Sequence, residues 1–176
     1  MKLLGISGSL RAASYNTALV REAAEAFGPS AFTLADLRFP LYDGDVEDRE
    51  GVPEPVALFH KAIGVADAVV ISTPEYNKGL SGVLKNALDW SSRVKPMPFR
   101  DKPVAIMSAT AGRAGGERAQ MTLRHCLVAF RPRLLTGPEL MVAGASRAFE
   151  NGRLSDPKAR ELLQELMDEL RAAAGG

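Results

Sequence analysis

Short apolar runs alternate with stretches of helical periodicity from one end of the chain to the other. Residues 2–7, "KLLGIS", form an apolar run that ends in turn residues and predict a first strand rather than the core of a signal peptide. The spacing of Ala18, Leu19, Glu22 and Ala23 predicts a helix that Gly28-Pro29 stops. "AFTLADL" predicts a second strand, and residues 38–52 a Pro-, Gly- and Asp-rich loop. Residues 55–66 read as a helix with Pro55 in its first turn. The β-branched run "DAVVIST", residues 67–73, has the composition of a strand buried on both faces. Val83, Leu84, Ala87 and Leu88 predict a helix capped by Ser81. "PVAIMSA", residues 103–109, is a further buried strand with proline at its first position. Ala119, Leu123, Leu127 and Phe130 share one side of the next helix, and "RLLTGPELMVAG" predicts a fifth strand broken around Gly137-Pro138. The last helix opens at Asp156-Pro157 and turns Ala159, Leu162, Leu163, Leu166 and Leu170 inward, with Gly175-Gly176 expected as a frayed tail.

Five strands and five helices in alternation predict an α/β fold, a parallel sheet with helices on both faces. Neither a repeat nor a composition boundary divides the sequence, so residues 1–176 are expected to form one domain. In such sheets the ligand sits beyond the carboxyl ends of the strands. Three loops at that edge are rich in glycine and polar groups: "SGSLRAASYN", "PEYNKGLSG" and "TAGRAGG". With strand order 2-1-3-4-5 they leave adjacent strands and converge on one crevice.

The first loop offers the hydroxyls of Ser7, Ser9 and Ser14, the Asn16 amide, the Arg11 guanidinium, a turn at Gly8 and the N-terminus of a helix. That set suits a phosphate monoester; a capped helix start with a surface arginine is the other reading. The loop has neither the spaced glycines of a dinucleotide fingerprint nor a Gly-Lys-Ser/Thr phosphate loop. In the second loop Pro74 fixes the backbone after the strand, and Tyr76 can lie against a planar ring. Backbone groups from Glu75 to Lys78 can pair with a polar ring edge, Gly79 and Gly82 leave room, and an ordinary strand-to-helix turn is the alternative. The third loop keeps side chains away at Gly112, Gly115 and Gly116 while offering Ser108 and Thr110.

The segments "GSLRAASYN", "PEYNKGLSGVLKNALDWSSR" and "SATAGRAGGERAQMTLRHCL" resemble the signature segments of the NADPH-dependent FMN reductase family, which includes chromate, quinone and azo-dye reductases; the ending "GASRAFENGRLSDP" is similar as well. The resemblance implies a flavodoxin-like fold, bound FMN, and a homodimer or homotetramer. It implies that Ser9, Arg11, Ser14 and Asn16 hold the FMN phosphate with Tyr15 close by. Pro74, Glu75, Tyr76 and Asn77 would line the isoalloxazine largely through backbone groups, with Ser108 and Gly112 flanking it. NADPH (or NADH) would deliver hydride to flavin N5, and a quinone, flavin, azo or nitro compound or metal oxyanion would take it in a ping-pong cycle, with neither a catalytic side chain nor a metal. Family members commonly have a small residue where this chain has Arg113, which faces either water or the 2′-phosphate of NADPH. Two rivals stand beside this reading: a flavodoxin-like electron carrier with no NAD(P)H chemistry of its own, and a phosphate-binding regulatory module.

Composition narrows the choice. The 176 residues are 46% hydrophobic and 24% charged, with a formal net charge of +1. Near-neutrality argues against nucleic acid or an acidic membrane as partner, and flavodoxins are usually strongly acidic. No apolar run approaches the ~18 residues of a membrane span. A single cysteine, Cys126, allows no internal disulfide and suits the cytoplasm. Cys126 is expected in the core, and His60 as a partly exposed structural residue. Adjacent positions on a helix point apart, so His125 and Cys126 form no dyad. The acidic run "DGDVEDRE" lacks a calcium-loop pattern and reads as a solvated loop, a subunit contact or a pocket rim. Trp90, beside an Asp89–Arg93 pair at i, i+4, packs either on its own sheet or in a dimer interface; the family resemblance favours the interface.

Overall fold

The computed structural model describes residues 1–175. In chain order the elements are β1 (Lys2–Ser7), α1 (Tyr15–Phe27), β2 (Ala31–Leu34), α2 (Gly44–Glu50), α3 (Glu54–Val65), β3 (Ala68–Ser72), α4 (Gly82–Arg93) and β4 (Pro103–Ala109). There follow α5 (Glu117–Leu127) with a 3-10 turn at Val128–Phe130, β5 (Arg133–Leu134), β6 (Leu140–Val142), α6 (Ala145–Ala148), β7 (Phe149–Glu150), β8 (Arg153–Leu154) and α7 (Pro157–Gly175). The main sheet runs β2-β1-β3-β4-β5 with every pairing parallel, the parallel sheet expected from the alternation in the flavodoxin-like order that the family resemblance implies. The fifth strand is broken as expected. Arg133–Leu134 pair with the start of β4, Leu140–Val142 with its end, and Gly137-Pro138 lies in the gap.

Every residue of β3 and β4 is buried, because helices cover both faces. Side chains alternate across the sheet, so Leu3 joins Val70, Met107 and the apolar faces of α1 and α7. Leu4 and Ile6 join Val69, Ile71 and Ile106 under α3, α4 and α5. Local signals set the helix ends. Ser14 caps α1 by accepting from the Thr17 N–H (3.3 Å), and Ser81 caps α4 by accepting from the Leu84 N–H (3.3 Å). Asp156 Oδ1 accepts from the Ala159 N–H at 2.7 Å, and Gly28 closes α1 in the left-handed conformation. His60 is half-buried with Nε2 2.7 Å from the Pro96 carbonyl oxygen, and Cys126 is half-buried against the core under α5. Gly175 is the last residue of α7, and the other half of the expected frayed tail, Gly176, lies outside the described residues.

Three expectations need correcting. Residues 38–52 contain the seven-residue helix α2, capped by Asp43 and carrying Asp45 and Glu47 in its first turn, where the helix dipole favours acids. It has no buried residue, so it leaves no apolar periodicity to read. Trp90 is fully buried within this chain and is not an interface residue. Its Nε1–H donates to the Pro40 carbonyl (2.8 Å), which also accepts from Asn86 Nδ2 (3.0 Å), and the Tyr42 ring meets it edge-on at 5.0 Å. Asp89 pairs with Lys85 at 2.6 Å instead of with Arg93, because Arg93 reaches across to Glu47 at 2.7 Å, where the Tyr42 hydroxyl also donates.

The hairpin β7–β8 was not foreseen. Its turn is Asn151-Gly152 with φ of 50° and 77°, the dipeptide that two positive φ angles favour. Because Trp90 fastens residues 40–42 to α4, Trp90→Ala is expected to lower unfolding free energy by about 3–5 kcal/mol, read from urea denaturation; an interface tryptophan would leave the monomer's midpoint unchanged.

Candidate functional site

The loops after β1, β3 and β4 enclose a crevice of about 350 Å³ at the carboxyl edge of the sheet. That lies within the ~300–1,000 Å³ of small-molecule sites. Nine of the eleven residues expected at the site line it: Ser9, Arg11, Ser14, Tyr15, Asn16, Pro74, Glu75, Tyr76 and Gly112. Asn77 and Ser108 do not.

The wall after β1 is a donor surface. Arg11 is exposed and in no ion pair among the described residues, and its backbone N–H reaches Ser9 Oγ at 3.4 Å. The first turn of α1 leaves the N–H groups of Tyr15 and Asn16 without an acceptor among the described residues; those of Thr17 and Ala18 are taken by Ser14. Asn16 itself is buried and engaged in the sheet. Its Oδ1 accepts from Ser72 Oγ (2.8 Å) and the Ala109 N–H (3.0 Å), and its Nδ2 donates to the Ala109 carbonyl (2.9 Å). The Asn16 side chain thus ties α1 to the ends of β3 and β4 and leaves one amide hydrogen for any ligand. Ser7 is turned inward as well, its hydroxyl 2.8 Å from that of Thr17.

The wall after β3 is a tight turn. Tyr76 and Gly79 exchange backbone hydrogen bonds of 3.0 and 3.1 Å, with Asn77 and Lys78 between them at φ of 49° and 66°. Asn77 thereby shapes the turn from outside the crevice, and Tyr76 stands on the rim, 51% exposed. Glu75 does something the sequence did not disclose. Its Oε2 accepts from the N–H groups of Arg118 (3.1 Å) and Ala119 (3.4 Å), capping α5, whose own N-cap, Gly116, has no side chain to do so.

The wall after β4 is packed against its own sheet. Ser108 is fully buried behind it; the hydroxyl donates to the Gly115 carbonyl (2.6 Å) and accepts from Gln120 Nε2 (2.8 Å). Gly116 has φ of 99°, and a β-carbon there would sit 2.7 Å from that of Ser108. This glycine answers to the fold of the loop rather than to a ligand. Residues 142–145 strap the loop from outside: the Val142 carbonyl accepts from the Thr110 N–H (3.0 Å), and the Gly144 N–H donates to the Gly112 carbonyl (3.2 Å). Among the described residues no group of His, Cys, Asp or Glu could hold a metal ion.

Residues 1–147 match the model of the NADPH-dependent FMN reductase family. The chain belongs to that family. It is 48% identical over 174 residues to an NAD(P)H-dependent FMN reductase of Pseudomonas aeruginosa, a match covering 97% of this chain and 94% of that protein. A quinone reductase of Escherichia coli is 39% identical over 147 residues, 80% of this chain and 77% of its own length. The solved structure of FerB, a flavoenzyme NAD(P)H:(acceptor) oxidoreductase of Paracoccus denitrificans, superposes with a TM-score of 0.87 at 28% identity, covering 99% of this chain and 97% of that one. Family membership makes the chain an oxidoreductase that works with FMN and NAD(P)H.

The unforeseen hairpin of this reductase supports its site. Phe149 in β7 packs on Tyr15, ring centroids 5.2 Å apart, and so backs a residue of the crevice wall. The Asn151-Gly152 dipeptide was the available signal. Since Glu75 caps α5, Glu75→Ala is expected to lower stability by about 1 kcal/mol, with a smaller loss for Glu75→Gln, which keeps an acceptor oxygen; urea midpoints measure both.

Proposed function

We propose that this FMN reductase reduces small-molecule acceptors, quinones foremost, in a ping-pong cycle through the one crevice. The observation that carries the reading is the pairing, on one sheet edge, of a carboxylate-free donor turn with a slot walled by backbone. The donor set fits a phosphate monoester: Arg11 supplies charge, Ser9 and Ser14 hydroxyls, Tyr15 and Asn16 two free N–H groups at a helix N-terminus. Pro74, Glu75 and Tyr76 on one side and Ala109 to Gly112 on the other would flank the ring, with Asn77 shaping the turn and Ser108 bracing the far wall. When bound, FMN supplies the hydride chemistry itself. The chain's residues hold the phosphate, orient the ring and keep water from its buried face. Nicotinamide and acceptor share one opening and must use it in turn. The names of the relatives support a quinone as acceptor. The single cysteine suits a cytoplasmic enzyme, and exposed apolar side chains such as Leu41 and Val128 suit a homodimer or homotetramer.

The purified protein is expected to show flavin absorption bands that bleach on adding NADPH under nitrogen and recover on adding a quinone. Absence of bleaching without a protein partner would point to an electron carrier, and a protein that stays colourless after FMN addition would end the reading. Double-reciprocal plots should be parallel. Arg11→Ala should weaken FMN binding to the apoprotein by about 10- to 150-fold, the value of one hydrogen bond to a charged group, measured by fluorescence titration.

A further inference from the structure

We propose that Arg113 and Arg147 form a clamp for the 2′-phosphate of NADPH at the outer lip of the crevice, and so set the preference for NADPH over NADH. The inference rests on the reading of the crevice as a flavin site that a nicotinamide dinucleotide approaches. Arg113 follows Gly112, which lines the crevice, and Arg147 lies in α6 on the strap that closes over the same loop. The two segments are joined by backbone: the Ala145 N–H donates to the Thr110 carbonyl at 2.9 Å and the Gly144 N–H to the Gly112 carbonyl at 3.2 Å. The Arg147 guanidinium folds over Gly144, where a β-carbon would lie 3.0 Å from Nη2. This places it beside the strap rather than away in solvent.

Both arginines are exposed, and neither is in an ion pair among the described residues. Glu117 and Glu150, the carboxylates nearest in sequence, pair with neither. The lining carboxylate, Glu75, is occupied at the N-terminus of α5. The lip formed by the loop after β4 and its strap is therefore cationic and unneutralised among the described residues.

With the crevice of about 350 Å³ taken up by the flavin, the adenosine half of a dinucleotide must lie outside it, across the lip. NADH and NADPH share the pyrophosphate, a diester with one charge on each phosphorus. Only NADPH carries a terminal monoester, with up to two charges and three oxygens free to accept. Two guanidinium forks match that group better than they match the diester.

The test compares holoenzyme of wild type, Arg113→Ala, Arg147→Ala and the double variant, with Lys substitutions as conservative controls. The ratio of kcat/KM for NADPH to that for NADH should exceed one in the wild type. It should fall about tenfold with each Ala substitution and further in the double variant, through KM(NADPH) rather than kcat, with partial recovery in the Lys variants. Calorimetric binding of adenosine 2′,5′-bisphosphate should weaken in parallel, while 5′-AMP binding does not separate the variants. Equal losses for NADPH and NADH would assign the arginines to the pyrophosphate and overturn the proposal, as would a wild-type ratio near one. If neither nucleotide reduces the wild-type flavin, the functional reading itself fails, and unchanged bisphosphate binding in the variants would then refute the clamp independently.

Discussion

The Asn16 amide holds the site together. Three strand ends must lie side by side for three loops to share a crevice, and the backbone ladders run out one residue past the strands, where Gly8 N–H donates to the Ser72 carbonyl and Thr73 N–H to the Met107 carbonyl. Asn16 adds a side-chain link across the strand ends, accepting from Ser72 and Ala109 and donating to the Ala109 carbonyl. Each such bond contributes about 0.5–1.5 kcal/mol net, but a buried partner left without one costs about 1–3 kcal/mol. The amide therefore sets the geometry more than it adds stability.

From that constraint follows a division of labour within the loops. Most of their polar side chains work on the protein: Glu75 caps α5, Ser108 braces Gly115, and Ser7 meets Thr17. What remains facing the crevice is backbone, the hydroxyls and guanidinium of the first loop, and two rim tyrosines. On the reading proposed above, such a site orients a planar cofactor and leaves the redox chemistry to it. That agrees with an oxidoreductase family whose chemistry resides in the flavin.

The same economy appears away from the crevice. The segment around Pro40 lies in no helix or strand, yet it is held on α4 by Trp90, Asn86 and Tyr42, and Glu47 gathers Arg93 and the Tyr42 hydroxyl. On the far side, Phe149 of the small hairpin supports Tyr15. Both flanks of the sheet edge are thus buttressed by short elements with weak local signals.

What the chain's own order of residues determines is whatever depends on neighbours a few positions away. The apolar periods of β1, β3, β4, α1 and α7, the caps at Ser81 and Asp156, the break at Gly137-Pro138 and the Asn151-Gly152 turn all have local causes and are legible in the sequence. The convergence of the three loops followed from strand order. The destinations of individual side chains did not. Asn16, Glu75, Ser108 and Trp90 find partners that only the packed sheet brings near, Asn16 and Ala109 being 93 positions apart. A polar residue in a glycine-rich loop looks the same in sequence whether it faces a ligand or its own fold. Only tertiary structure distinguishes the two, because burial decides which hydrogen bonds must be made within the protein.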